Sequence, residues 1–256
     1  MRKASLAVVL VACLGLLTPL AASAQQTAPI GYTYVAEWDA TRDKWPEISA
    51  YAEKSWRPLL ERLVADGTLT DFGVYQTVVH EFDGISNGIW WSATSIANIE
   101  KARLEALKLP PGPGLTEAKH RDYFLRSLIW KGKPGGGAGG YLRVATSVVQ
   151  PGKGSQWLAL WRKYNQPLWD EFVANGTVAA YGVQLEHIVT DDPGVRMVVG
   201  IFPNAEGLDK AQAASMALTE KRTQAERDAI TAEFAAVTVP SAARTYLGRI
   251  NFYSMK

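Results

Sequence analysis

The 256-residue sequence predicts an α+β protein made of two consecutive copies of one β-α-β-β-α-β unit. Three observations carry that reading. Sliding the chain by 109 lays residues 32–102 on 141–211 without a gap, and 17 of those 71 positions are identical. Composition alone would give roughly 4 or 5. Short β-favouring runs alternate with segments whose apolar residues recur every three or four positions. Turn-forming residues separate these runs at matched places, as in Gly67-Thr68 and Gly176-Thr177.

The elements follow in order. The first strand of each copy spans 32–38 and 141–149. Trp45, Ile48, Ala52, Trp56, Leu59 and Leu63 then mark an amphipathic helix that ends at Gly67. Trp157, Trp161, Tyr164, Leu168 and Phe172 do the same in the second copy, up to Gly176. Pro58 and Pro167 occupy matching positions inside these helices and predict a matched kink, because proline removes a backbone donor and crowds the preceding turn. Second strands are expected at 72–82 and 181–190, and third strands at 88–95 and 196–202. A second helix follows at 96–108 and, longer, at 205–236, and last strands close the copies at 122–131 and 244–253. An offset of 123 pairs Arg121, Tyr123 and Arg126 with Arg244, Tyr246 and Arg249.

This order is the ferredoxin-like unit, taken twice. The domain reading is a signal peptide at 1–24, a tail at 25–31, one repeat at 32–131, a Gly-rich linker at 132–140 and a second repeat at 141–256. Arg2 and Lys3, the apolar run to Leu20 and Ala22-Ser23-Ala24 carry the signal-peptide reading, with cleavage near Ala24 and a periplasmic or secreted mature chain. Leu10-Val11-Ala12-Cys13 resembles a lipoprotein box, but apolar sequence runs on past the cysteine. The leader holds two basic residues and no acid, which leaves 25 Lys+Arg against 25 Asp+Glu. A neutral chain without a basic run lacks the footprint of a nucleic-acid binder, and no membrane span is expected in the mature chain. Gly135-x-Gly137-x-x-Gly140 matches a dinucleotide fingerprint literally, but the strand-like Tyr141-Leu-Arg-Val-Ala follows where a helix is needed.

A ferredoxin-like sheet has helices on one face only, so two such units are expected to pack sheet to sheet as an α/β barrel. The duplicated arrangement resembles the dimeric α/β-barrel superfamily. That group includes cofactor-free monooxygenases of the antibiotic-biosynthesis type, muconolactone isomerases, and haem-degrading and chlorite-decomposing enzymes. NIPSNAP-type and EthD-type proteins also belong to it. The resemblance covers nearly all of the mature chain at the level of element order. No catalytic motif of any one member is matched, so no family residue is carried over, and the fold by itself does not fix the function.

Candidate site residues follow from residue chemistry. Nine tryptophans serve core filling or the wall of an aromatic-lined cavity. Trp38, Trp56 and Trp91 have no tryptophan at their matching positions and, with Tyr75 and Tyr123, are the candidate ligand-binding aromatics. His80 and His187 share strand parity and are the candidate proton acceptors, or a surface pair. Arg126 is a candidate for holding an anionic group, or for pairing with a strand acid such as Glu37, Glu81 or Glu186. Three His and one Cys argue against a multi-ligand metal site. No motif calls for a cofactor, although a histidine could ligate haem.

Three functions are compatible with these residues. A small-molecule-binding protein with an aromatic barrel cavity ranks first, because no complete acid–base pair is visible. A cofactor-independent monooxygenase or isomerase is the alternative, with His80 or His187 as base and Arg126 placing an anion. A structural module whose barrel is filled by its own side chains is the third. The expected partner is a small apolar or aromatic molecule, and the expected state is a monomer with an internal pseudo-dimer, or a homodimer.

Overall fold

The structure, a computed structural model, describes residues 31–79, 84–190, 193–240 and 242–256. The segment read as a signal peptide and His80 lie outside the described residues. The strands are β1 (Tyr32–Asp39), β2 (Asp71–Val79), β3 (Asn87–Ala93), β4 (Lys119–Gly132), β5 (Gly135–Gly137), β6 (Tyr141–Val148), β7 (Ala180–Ile188), β8 (Val195–Phe202) and β9 (Arg244–Met255). Eight of them close into an antiparallel barrel in the order β2-β3-β1-β4-β7-β8-β6-β9, with β9 returning to β2.

Both halves have the strand order second-third-first-fourth. The expected sheet-to-sheet packing takes a different form: the sheets join at their edges. The fourth strand of each half is long, 14 residues in β4 and 12 in β9, and pairs with the second strand of the other half. A closed barrel leaves no unpaired edge, which is the physical gain over two stacked sheets. Each seam carries register shifts, between Val74 and Tyr75 and between Thr77 and Val79 on β2, and at Phe124/Leu125 and Ser127/Ile129 on β4.

Helices cover the outside. The first helical stretch comprises α1 (Trp45–Tyr51), a π-helical turn (Ala52–Trp56) and α2 (Arg57–Ala65), followed later by α3 (Ile96–Ala106). In the second half the helices are α4 (Gly154–Tyr164), α5 (Gln166–Asn175), α6 (Ala205–Glu220) and α7 (Gln224–Ala235). The two prolines do interrupt their helices at the same place. Before Pro58 the helix widens into the π turn, whereas before Pro167 it breaks at Asn165 (φ −114°, ψ −39°). The long helix expected at 205–236 is two helices. Thr223 ends the first and caps the second: Thr223 Oγ1 accepts from Glu226 N at 3.2 Å, and Glu226 Oε2 accepts from Thr223 N at 2.7 Å.

Three apolar clusters result. One fills the space between the barrel and α1–α3, around Leu60, Leu63, Phe72 and Trp91. A second lies under α4–α7, around Trp157, Trp161, Tyr181 and Phe202. The third lies inside the barrel, around Tyr75, Trp90, Leu125, Val144 and Ile250. Within the Gly-rich 132–140 segment, β5 pairs with the end of β9. No helix among the described residues is long and apolar enough to cross a membrane.

Candidate active site

The barrel interior holds a cavity of about 500 Å³. Strand alternation builds its wall: β1 turns Thr33, Val35 and Glu37 inward and sends Tyr32, Tyr34 and Trp38 out toward the helices. By the same parity Trp90 faces the cavity while Trp91 packs outside. The reading of the barrel as filled by its own side chains is therefore overturned.

The most acidic point of this wall is Glu37, only 1% exposed. Its Oε1 accepts hydrogen bonds from the phenol of Tyr75 at 2.5 Å and from that of Tyr246 at 3.3 Å. Arg121 Nε donates to Oε2 at 2.8 Å, and the Arg121 side chain is 52% exposed at the cavity mouth. A buried carboxylate is tolerated because all three donors compensate its lost hydration. Burial, and then the charge of Glu37, push the Tyr75 and Tyr246 phenols well above the ordinary tyrosine range. Both therefore remain hydrogen-bond donors at neutral pH.

The ring of Tyr75 is fixed by two glycines. A methyl group on Gly248 would lie 2.7 Å from Tyr75 Cδ2, and one on Gly88 would collide with the same ring. Tyr123 and Tyr246 enter the cavity from opposite walls. β4 and β9 stand four strands apart around the barrel and, since every neighbouring pair is antiparallel, run in the same direction. Arg121 and Arg244, two residues before these tyrosines, also line the cavity.

A second polar group lies deeper. Gln184 Nε2 donates to Thr33 Oγ1 at 3.0 Å, and Thr33 and Ser92 hydroxyls are 2.9 Å apart. Ser92 Oγ donates to Asp71 Oδ1 at 2.8 Å, so the Thr33 hydroxyl is left to donate to Ser92. Trp90 Nε1 and Thr70 Oγ1 also donate to Asp71, at 3.1 and 3.0 Å. Burial raises the pKa of Asp71, and these three donors oppose the rise. Thr33 and Glu37 are four residues apart on one strand, so the two polar groups stand about 13 Å apart along the strand with Val35 between them.

Of the residues expected at a site, Tyr75 and Tyr123 line the cavity. Trp38, Trp56 and Trp91 do not; they pack between barrel and helices, Trp38 against Trp56 at 5.5 Å and Trp91 against Tyr34 at 4.7 Å. Their odd distribution between the halves reflects a different outer core rather than a ligand wall. Arg126 points outward by parity, opposite Tyr32, and does not pair with Glu37. His187 is exposed on the outer side, 5.3 Å from Tyr32 and 5.6 Å from Phe124. His120 stacks on Trp38 at 4.9 Å, with Nε2 3.0 Å from Asp122 Oδ1. Histidine is thus absent from the described cavity lining. Among the described residues no group of three or more His, Cys, Asp and Glu is arranged to hold a metal ion.

Glu37, Arg121, Tyr246, Trp90 and Trp130 form the wall without having been singled out as site residues. Their signal was parity. Glu37 shares a face with Thr33 and Val35, and the Arg-x-Tyr pattern recurs at 121–123 and 244–246.

No protein-family model and no curated protein matches the sequence. The fold matches solved structures. A candidate monooxygenase from Lactobacillus acidophilus is 10% identical, with a TM-score of 0.61 over 88% of this chain and 96% of that one. A candidate monooxygenase from Fusobacterium nucleatum is 9% identical, with a TM-score of 0.58 over 89% and 95%. An anthrone oxidase-like protein is 11% identical, with a TM-score of 0.52 over 89% and 94%. At these identities the likeness speaks for architecture. The chain has the dimeric α/β-barrel fold, closed here within one polypeptide.

Proposed function

We propose that this chain is an enzyme of the cofactor-independent monooxygenase type, acting on an apolar, aromatic substrate inside the barrel with Glu37 as the proton acceptor. One observation carries the reading: a carboxylate 1% exposed, held by two phenols and one arginine, faces a cavity of about 500 Å³. A buried acid with that many donors is a costly arrangement, and such groups concentrate where chemistry is done. The candidate monooxygenases of like fold support the same reading.

In this mechanism Arg121 holds the Glu37 side chain in place, and Glu37 removes a proton from a carbon next to a carbonyl or phenol. As Glu37 takes up the proton its hold on the two phenols weakens, and the single O–H donors of Tyr75 and Tyr246, which burial keeps protonated, turn to the negative charge that develops on the substrate oxygen. The electron-rich carbanion then reduces dioxygen: a CH2 group and O2 give a carbonyl and water, with the substrate supplying all the electrons.

The test is oxygen consumption by the purified chain with a panel of aromatic ketones and phenols, the product identified by mass. Glu37→Gln is expected to lower turnover by about 10²–10⁴-fold. Undiminished turnover in that variant removes Glu37 from the role. Compounds recovered unchanged, with no oxygen uptake, would return the chain to the class of binding proteins.

The same proposal takes residues 32–131 and 141–256 as an internal duplication joined through 132–140, exported by means of residues 1–24. The 17 identities between the halves and the matched Pro58 and Pro167 support the duplication. In that reading one chain supplies what a dimer of single units supplies elsewhere. Only the first half carries the acid, because Thr146 matches Glu37.

A further inference from the structure

Outside the barrel, a pair of arginines stands apart from the cavity. Arg126 of β4 and Arg196 of β8 flank Leu185 of β7, each directly opposite it in register. Neighbouring strands lie about 4.8 Å apart, which sets the two arginine backbones about 10 Å from each other with both side chains on one face. Both residues are half-buried, and the Nε of each is buried without a hydrogen-bond partner. Arg196 Nη1 donates to Val195 O at 2.9 Å, and a methyl group on Gly154 would lie 2.8 Å from Arg196 Nη2, which places this guanidinium over the start of α4.

Two guanidinium groups brought together with partly lost hydration repel each other. Burial, and then the charge of Arg126, hold Arg196 below the ordinary arginine range. Glu186 of β7 does not relieve them, since it pairs in register with Leu125 and shares its inward face. An arrangement of two like charges and two unused N–H donors is complete only with a counter-ion that accepts several hydrogen bonds. A single carboxylate offers one negative charge, whereas a phosphate group brings close to two and three strong acceptor oxygens.

We propose that Arg126 and Arg196 form a binding site for a phosphate group, free or as a monoester, on the outer face of the barrel. The site is independent of Glu37 and of the reading of the cavity.

Titrating inorganic phosphate into the purified mature chain at constant ionic strength, with acetate as comparator, tests this by calorimetry and thermal unfolding. A saturable heat and a rise in Tm with phosphate, absent with acetate, are expected. Arg126→Gln and Arg196→Gln should each weaken binding by at least about 10-fold. Arg143→Gln, on an exposed part of β6, should leave it unchanged. If a Gln variant does not fold, Arg196→Lys keeps the charge and stem while losing the planar fork, and should still weaken binding. A phosphate effect no larger than that of acetate, or one that survives both Gln substitutions, overturns the site. Glycerol phosphate in place of phosphate distinguishes the source: tighter binding assigns a monoester, equal binding the phosphate group alone.

Discussion

Tyr75 and Glu37 are joined by a hydrogen bond of 2.5 Å inside the barrel, made across β2 and β1 through the space between their walls. Neither residue is more than 1% exposed. The pair links the carboxylate to a phenol whose ring is locked by Gly88 and Gly248, so the acid's position depends on residues from four strands.

Removing the charge while keeping the shape separates chemistry from packing. Glu37→Gln retains an acceptor for Tyr75 and frees Arg121, whose side chain is already 52% exposed and takes up water. The expected outcome is a native circular-dichroism spectrum and a Tm within a few degrees of wild type, alongside the loss of turnover. An unfolded variant would make Glu37 a structural acid.

Crowding the phenol should act without deleting any functional group. Gly88→Ala and Gly248→Ala each put a methyl group into the Tyr75 ring. Overpacking of this kind costs about 1–3 kcal/mol. Activity should fall along with stability in Gly248→Ala. Combining Gly248→Ala with Tyr75→Phe should add little further loss of activity, because both act on one ring. Additive losses would show that the glycine serves something else.

Strand positions follow from alternation, and the paired helix interruptions follow from Pro58 and Pro167. Which face of a strand becomes the cavity is a different matter. Trp90 and Trp91 are neighbours with opposite fates, and parity alone says that they differ without saying which is inside. Closure of the barrel decides it, and closure depends on β4 and β9 reaching across to the other half. Arg121 and Arg126 likewise sit on one strand and differ by one parity step. The second helix of the second half shows the opposite case: Thr223-x-x-Glu226 is a legible stop-and-start signal inside 205–236.

Alkaline stability should report the two cavity phenols. In the unfolded chain Tyr75 and Tyr246 ionise near pH 10, but in the native barrel burial and Glu37 keep them protonated well above that. The native state then binds more protons than the unfolded one, so their contribution is complete below about pH 10 and declines as pH rises further. Each should contribute a slope of about 1.4 kcal/mol per pH unit in that range. Urea midpoints between pH 9 and 11 check this. Tyr75→Phe and Tyr246→Phe should each flatten the decline by one proton's worth, and an unchanged slope would mean that these phenols ionise normally.

Asp71 should show the corresponding effect at acid pH. Its pKa is raised by burial despite three donors, so the native state keeps a proton that the unfolded chain gives up near pH 4. Stability is fully present below that pH and is lost as pH rises through the native value. Asp71→Asn removes this titration while leaving an oxygen for Ser92 and Trp90. Relative to wild type, the variant should therefore gain stability from pH 4 to pH 7. A constant difference between the two proteins across that range would show that Asp71 ionises as freely as it does in the unfolded chain.

Filling the cavity is the counterpart of disarming the base. Val144 lies on β6, 3% exposed, and contributes to the wall on the half that lacks the acid. Val144→Phe has about 500 Å³ of free space to grow into, so the usual cost of overpacking does not arise. Added apolar contact should hold Tm level or raise it, since each buried methylene is worth about 0.8 kcal/mol. Large aromatic substrates should lose at least about 10-fold in kcat/KM, because the space they occupy is gone while Glu37, Tyr75 and Arg121 remain in place. Small phenols should lose less. If large substrates turn over as before in Val144→Phe, the chemistry takes place outside the barrel, whatever Glu37→Gln does.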